Sequence, residues 1–183
     1  MHVKEHLHTV NRHRRLVRHY CFRLGLYWQG LTHDLSKYSP TEFWRSCKYY
    51  QGYRSPNDQE RIETGQSLSW LHHKGRNRHH FEYWLDYQIQ PDGRIAVGGG
   101  KMPKKYVAEM FCDRIAACRV YQGENYTDAS PYDYYERARQ RKIGNLIHPD
   151  TSALLGRWLL LFKEQGEEVA CRQIRRELKD PEY

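Results

Sequence analysis

The sequence predicts an all-α protein with one small β-hairpin or flap near residues 88–100. Apolar residues recur at helical spacing through most of the chain, and strand-like alternation is confined to that one segment. Of the 183 residues, 14% are aromatic, whereas disordered chains are poor in aromatic rings. A length of roughly 100–200 residues is typical of one domain, so we expect a single domain over 1–183.

Residues 3–24 are predicted to form the first helix, because they contain neither Gly nor Pro. Apolar side chains recur there at steps of three, four and seven residues: Leu7, Val10, Val17, Cys21 and Leu24. Gly25 and Gly30 interrupt this pattern, and residues 26–35 are predicted to form a short second helix.

Three Ser-Pro pairs predict helix starts. Ser39–Glu42 combines a capping serine, a proline at the first helical position and a glutamate that completes a capping box. Ser55-Pro56 and Ser130-Pro131 repeat the signal.

Three more helices and the hairpin complete the predicted fold. Pro103 opens a helix over 104–121. Asp150 is expected to cap a helix that ends at about residue 165, and a last helix is predicted over 167–178. Pro91-Asp92-Gly93 predicts a turn between two short alternating segments, and hence the hairpin.

We expect neither a membrane span nor secretion. The chain has no run of about 18 apolar residues, and its polar N-terminus leads into no apolar signal core. Five scattered cysteines without a Cys-x-x-Cys pair are typical of reduced thiols, which predicts a cytoplasmic protein. The net charge of +8 indicates either an anionic partner (a nucleotide, a nucleic acid or a phosphate ester) or a solvated basic surface.

Two ionisable residues fall on apolar helix faces. His13 lies at helical spacing from Val10 and Val17, and Asp113 is flanked in the same way by Met110 and other apolar residues. A lone histidine in such a place is more often a hydrogen-bonded core residue than a ligand. A buried carboxylate, by contrast, needs a cation or a metal as its partner.

His33-Asp34 is a third candidate, because adjacent side chains at a helix end can approach one ion from two sides. The alternative is that Asp34 caps a turn and His33 packs in the core. Lys37 follows three residues later and is placed to reach the same pocket as a phosphate-binding cation.

Residues 72–80 contain four imidazoles, His72, His73, His79 and His80, and three cations, Lys74, Arg76 and Arg78. Imidazole is a suitable ligand for Zn, Fe, Mn and Ni, and the interleaved cations could hold an anionic substrate beside the metal. Gly75 would allow a sharp turn that brings the two histidine pairs together. The alternative is a basic surface loop.

In their order along the chain these residues resemble the H…HD…D pattern of the HD superfamily of metal-dependent phosphohydrolases. His33–Lys37 is similar to the His-Asp-x-x-Lys motif of HD-GYP-type phosphodiesterases, which hold a second metal ion with additional histidines, including an adjacent pair. The resemblance implies an HD-like helical bundle.

The chain also resembles a family of small bacterial and phage proteins over roughly residues 4–125. That resemblance rests on short motifs in a fixed order: Asn11–Arg14, His33–Pro40, Glu42-Phe43, Trp70–His73, Asn77–Trp84, Met102-Pro103 and Glu109–Asp113. It makes 1–125 the expected metal-site core and 126–183 a set of packing helices.

The HD resemblance implies one or two divalent ions (Mn, Fe, Zn, Ni or Mg). The implied primary ligands are His13, His33, Asp34 and Asp113, and the implied ligands of a second ion are His73, His79 and His80. Lys37 would bind a phosphate oxygen, and Lys74, Arg76, Asn77 and Arg78 the rest of the substrate. His72 is either an acid or base or a side chain that faces solvent, and Glu109 either orients a ligand or acts as general base.

The expected function is therefore a phosphohydrolase or phosphodiesterase that acts on a nucleotide or another phosphate ester through a metal-activated water. The alternative is a basic nucleic-acid-binding module with a structural metal and no catalysis. It would use tyrosines that lie among Arg and Lys: Tyr49, Tyr50, Tyr53, Tyr132, Tyr134 and Tyr135. The sequence leaves the oligomeric state open.

Overall fold

The computed structural model describes residues 1–140, 146–180 and 182–183. Within them the fold consists of α-helices and one two-stranded sheet, as predicted. The helices are α1 (Val3–Arg23), α2 (Tyr27–Thr32), α3 (Pro40–Tyr49), α4 (Pro56–Thr64), α5 (Leu68–Lys74), α6 (Lys104–Gln122), α7 (Ser130–Arg139) and α8 (Pro149–Glu177). Short 3-10 turns cover Leu35–Tyr38, Phe81–Trp84 and Gly123–Asn125.

The sheet is the predicted hairpin, and it begins three residues earlier than expected. Strands β1 (Leu85–Ile89) and β2 (Ile95–Gly99) are antiparallel, with Leu85 opposite Gly99 and Ile89 opposite Ile95. Gly93 in the connecting turn has a φ of 80°, a conformation that glycine adopts without strain.

The hydrophobic core lies between α1, α6 and α8. Its large buried side chains include Tyr20, Phe111, Ile115, Leu155, Trp158 and Phe162. The ring of Phe111 lies edge-on to Trp158 and Phe162, with centroids 6.5 and 5.9 Å away. Because α1 packs along α6 over this core, His13 and Asp113 are brought face to face.

The second helix is shorter than predicted. It ends at Thr32 instead of continuing to residue 35, because Asp34 has a φ of 53° in the left-handed region and stops the helix. His33, which lies between Thr32 and Asp34, has an extended ψ of 127°.

The capping predictions are correct in part. Ser39 accepts the backbone N–H of Glu42, and α3 begins at Pro40 as predicted. The Ser55 side chain, in contrast, makes no capping hydrogen bond. Ser130 does not cap α7, because Ala129 occupies the N-cap position and Ser130 is already helical.

The C-terminal helix differs from the prediction at its start. Asp150 is not the cap, because Pro149 already occupies the first helical position. His148 Nδ1 instead accepts the Asp150 backbone N–H at 3.1 Å. Of the predicted packing segment 126–183, residues 141–145 and 181 lie outside the described residues.

Gly166 divides α8 into two halves, which match the two helices predicted there. Its φ of 77° and ψ of 176° break the helix, and Glu177 in the second half contacts Arg157 and Trp158 in the first. A straight helix would hold residues 158 and 177 roughly 28 Å apart. The two halves therefore fold back alongside each other.

No helix in the described part of the chain is long and apolar enough to cross a membrane. All five cysteines are buried and none is in a disulfide: Cys21, Cys47, Cys112, Cys118 and Cys171.

We predict that Glu177→Gln destabilises the fold at pH 7 by about 1.5–3 kcal/mol, the range for hydrogen bonds to a charged group. Burial opposes the charge of Glu177, but bonds from Arg157, Trp158 and Gln173 outweigh it and lower its pKa from 4.5 to about 2. The charge therefore stabilises the fold fully above pH 4.5, and this contribution is lost as the pH falls towards 2.

Urea unfolding of both proteins at pH 7 and pH 3 measures this difference, which should be smaller at pH 3. Glu168→Gln is the control, since this carboxylate is largely exposed and its ion pairs contribute little. An equal difference at both pH values would show that the Glu177 charge does not join the two halves of α8.

Candidate metal centre

The end of α2 at Thr32 positions the first two side chains of the centre. His33 leaves the helix with extended backbone and Asp34 follows in the left-handed conformation, so two adjacent side chains turn into the interior. They are only 2% and 1% exposed. Asp34 makes no side-chain capping bond, so the capping alternative is not what the structure shows.

A first group of ligand-type atoms comes from α1, the His33-Asp34 turn and α6. His13 Nε2 lies 3.0 Å from Asp113 Oδ1 and 3.4 Å from His33 Nε2. His33 Nε2 lies 3.4 Å from Asp34 Oδ2. The four side chains each offer an atom, and these atoms lie within 4.8 Å of one another.

A second group is formed by Asp34 with His73 of α5 and with His79 and His80, which follow α5. His73 Nε2 and His79 Nε2 lie 3.3 and 3.4 Å from Asp34 Oδ1. His73 Nε2 and His80 Nε2 are 2.9 Å apart. The implied ligands of a second ion, His73, His79 and His80, therefore meet at the His33-Asp34 turn.

The Asp34 carboxylate lies between the two groups and belongs to both. Its Oδ2 faces His33 and His13, at 3.4 and 3.8 Å. Its Oδ1 faces His73 and His79. One carboxylate with an oxygen on each side is an arrangement that could bridge two cations.

Glu109 and Glu42 contact the imidazole nitrogens that face away from the centre. Glu109 Oε1 accepts hydrogen bonds from His33 Nδ1 at 2.9 Å and His79 Nδ1 at 3.1 Å. Glu42 Oε2 accepts from His73 Nδ1 at 2.8 Å. With each Nδ1 bonded to a carboxylate, each Nε2 is left to face the centre, which is how proteins orient histidine ligands.

The Glu109 contacts favour one of its two predicted roles. Glu109 is 5% exposed, and its carboxylate contacts imidazoles of both groups. This placement is that of an orienting residue, because a general base must reach the reacting water.

Glu42 is the residue that the sequence reasoning missed. Glu42 was expected to complete a capping box, but its side chain contacts His72 and His73. The only signal near Glu42 in the sequence was its own acidic side chain in the motif that follows the His33-Asp34 turn. Its partners lie about thirty residues further along the chain, where no sequence periodicity connects them.

His72, Gly75 and Asn77 differ from their expected roles. His72 donates to Glu42 Oε1 at 2.6 Å and belongs to neither group. Gly75 has ordinary right-handed helical angles, so the turn between the histidine pairs does not use glycine's freedom. Asn77 is buried and donates to Ser36 Oγ and the His73 carbonyl, which positions His73 rather than a substrate.

The four predicted substrate-binding cations have different surroundings. Lys37 Nζ is 2.7 Å from Asp34 Oδ2 and is the one in direct contact with the centre. Arg76 donates to the His72 carbonyl and Arg78 to the Tyr106 hydroxyl. Lys74 is half-buried at the end of α5.

Burial disfavours the charged form of the side chains in the centre, and neighbouring charges decide which of them ionise. At Asp34 the His33 charge outweighs burial and holds the pKa well below its ordinary value. At His33 the Asp34 charge outweighs burial and holds the pKa well above it. At His80 burial prevails and, with the charges of His79 and His73, holds the pKa well below its ordinary value.

Two buried polar atoms of the centre have no hydrogen-bond partner: Asp34 Oδ1 and His79 Nε2. They lie 3.4 Å apart, within the second group. An unpaired buried acceptor costs free energy, and imidazole nitrogen and carboxylate oxygen both ligate transition metals at about 2.0–2.2 Å. The donor set and the orphaned atoms together fit a divalent metal ion.

No curated protein and no solved structure matches the chain. One family model does match, over residues 2–160, which include every side chain of both groups. The chain belongs to this family, DUF5662, a family of unknown function.

Proposed function

We propose that the protein is a metal-dependent phosphohydrolase or phosphodiesterase of the HD type, with a centre for two divalent ions. The observation that carries this proposal is the position of Asp34 between two sets of histidines. A carboxylate shared in this way suits two-metal hydrolytic sites, where ions about 3.5–4 Å apart act on one phosphate.

The order of the residues along the chain supports the same proposal. His13, His33-Asp34 and Asp113 follow the H…HD…D order of HD phosphohydrolases, and all four meet in the first group. The mostly helical fold is compatible with an HD-like bundle. The histidines of the second group, one in α5 and two just after it, correspond to the additional histidines that the HD-GYP resemblance implies.

Divalent ions bound in this centre would polarise phosphate oxygens and lower the pKa of a water molecule. The protein's own residues define where the phosphate enters. Asp113 and Lys37 have side chains 17% and 28% exposed, and His80 is half-buried, whereas Asp34 and His33 are closed off from solvent. The substrate is therefore expected to approach across Lys37, Asp113 and His80.

Lys37 is the group that would hold a phosphate oxygen at this opening. Burial opposes its charge, but Asp34 outweighs burial and raises its pKa, so the ammonium stays protonated. An ammonium group can donate to Asp34 and to a phosphate oxygen at the same time.

We predict that the protein binds two divalent transition-metal ions per chain. Asp34→Ala should lose both ions, because this carboxylate belongs to both groups. His80→Ala should keep one, since His80 belongs to the second group alone. Elemental analysis after dialysis against Mn²⁺ and gel filtration measures the ratio. Asp58→Ala is the control, because that carboxylate is exposed and paired with Arg61.

Removal of a buried anionic ligand leaves uncompensated positive charge and destabilises the fold by up to ~3–5 kcal/mol. Circular dichroism should therefore show that each variant is folded at the temperature of the metal assay. Full occupancy in Asp34→Ala would contradict the shared position of this carboxylate, and a metal-free wild type that takes up no ion would contradict the centre itself.

We also predict that the metal-loaded protein hydrolyses bis-p-nitrophenyl phosphate and that a chelator stops the reaction. Asp113→Ala should reduce turnover to background, because it removes a ligand. Lys37→Ala should keep its metal and lose at least about tenfold in kcat/KM, since it removes one charge-assisted bond to phosphate. Lys48→Ala, a surface lysine of α3, is the matched control.

A fully loaded wild type that turns over neither a phosphodiester nor a phosphomonoester would refute hydrolysis while leaving the metal centre in place. Equal rates with and without chelator would refute the metal mechanism.

A further inference from the structure

Away from the metal centre, five cations without a carboxylate partner in the described part of the chain form a basic face. They are Arg15 and Arg18 on α1, Arg175 and Arg176 in the last turn of α8, and Lys179 just after α8. All five are exposed.

Arg23 connects the two ends of the basic face. It lines one depression with Arg15 and Arg18 and a second with Arg175 and Lys179. Two carboxylates nearby are already paired with arginines: Glu167 and Glu168 pair with Arg23, and Glu168 also with Arg172.

Exposed aromatic rings border the basic face where α1 passes into α2. Trp28 and Tyr27 are 74% and 55% exposed. Phe22 packs edge-on against Tyr27 with centroids 5.2 Å apart, and it lines the same depression as Arg15 and Arg18. The end of α8 lies close to this corner. Arg175 Nε is 3.7 Å from the position that a Cβ atom on Gly25 would occupy.

We infer that the basic face and its aromatic border bind single-stranded nucleic acid. The sequence alternative placed nucleic-acid contacts on tyrosines elsewhere in the chain, and this surface does not depend on them. Arginine suits phosphate because its planar guanidinium donates two parallel bonds. Exposed rings beside such a row offer stacking to unpaired bases, which a duplex keeps inside its helix.

The surface is separate from the metal centre. At about 100° per residue, Arg15 and Arg18 lie roughly 200° and 140° around α1 from His13, which faces the centre. Binding at this face is therefore expected to be independent of bound metal, and its test does not depend on the proposed hydrolase activity.

The test is fluorescence anisotropy of a labelled 20-nucleotide oligo-U at several KCl concentrations, in the presence of EDTA. The wild type should bind with an affinity that falls as salt rises. Arg18→Ala with Arg175→Ala should flatten the plot of log K against log[salt] by about 1.4, for two lost phosphate contacts on a single strand. Trp28→Ala should weaken binding about tenfold and leave the slope unchanged.

Arg94→Ala with Arg137→Ala removes the same charge from other exposed surfaces and should bind like the wild type. An equal loss in this control would reduce the effect to net charge and overturn the inference. Absence of oligo-U binding at 50 mM KCl, equal binding of a duplex, a requirement for added metal, or binding only to anionic phospholipid vesicles would also overturn it.

Discussion

The buried carboxylate of Asp34 is the constraint on which the rest of the structure depends. It is 1% exposed, and an isolated charge at that depth would cost several kcal/mol. The fold compensates with Lys37 at 2.7 Å and with imidazoles on both sides. Lys37 and His33 lie in the same turn as Asp34, whereas His73 belongs to α5, so the carboxylate joins this turn to α5.

The imidazoles around Asp34 are in turn held by two further carboxylates. Glu109 on α6 fixes His33 and His79, and Glu42 on α3 fixes His73. Glu109 therefore connects α6 to the His33-Asp34 turn and to His79, and Glu42 connects α3 to α5. The hydrophobic core between α1, α6 and α8 packs α1 against α6, which positions His13 against Asp113.

Much of this arrangement could be predicted from local sequence signals. The positions of His13 and Asp113 on apolar stripes showed that both side chains face inward, because helical periodicity determines direction. The Ser-Pro pair at Ser39 gave the start of α3. Periodicity cannot show that residues far apart in the sequence share one site, and here that prediction came from the HD resemblance.

The remaining features depend on tertiary contacts. The contacts of Glu42 with His72 and His73 span about thirty residues, so no local pattern encodes them. The left-handed Asp34 ended α2 early, although the apolar pattern continued. Asn77 lies in a cationic segment and was expected to contact substrate, but its amide is engaged by Ser36 and His73. In each case a buried polar side chain contacts residues that are distant in the sequence.

Anomalous diffraction from crystals soaked in Mn²⁺ tests the central claim most directly, because it locates the ions independently of any activity. The account predicts two peaks, one on each side of the Asp34 carboxylate, with His13, His33 and Asp113 around one and His73, His79 and His80 around the other. A single peak remote from Asp34, or no peak in protein that retains its fold, would contradict it.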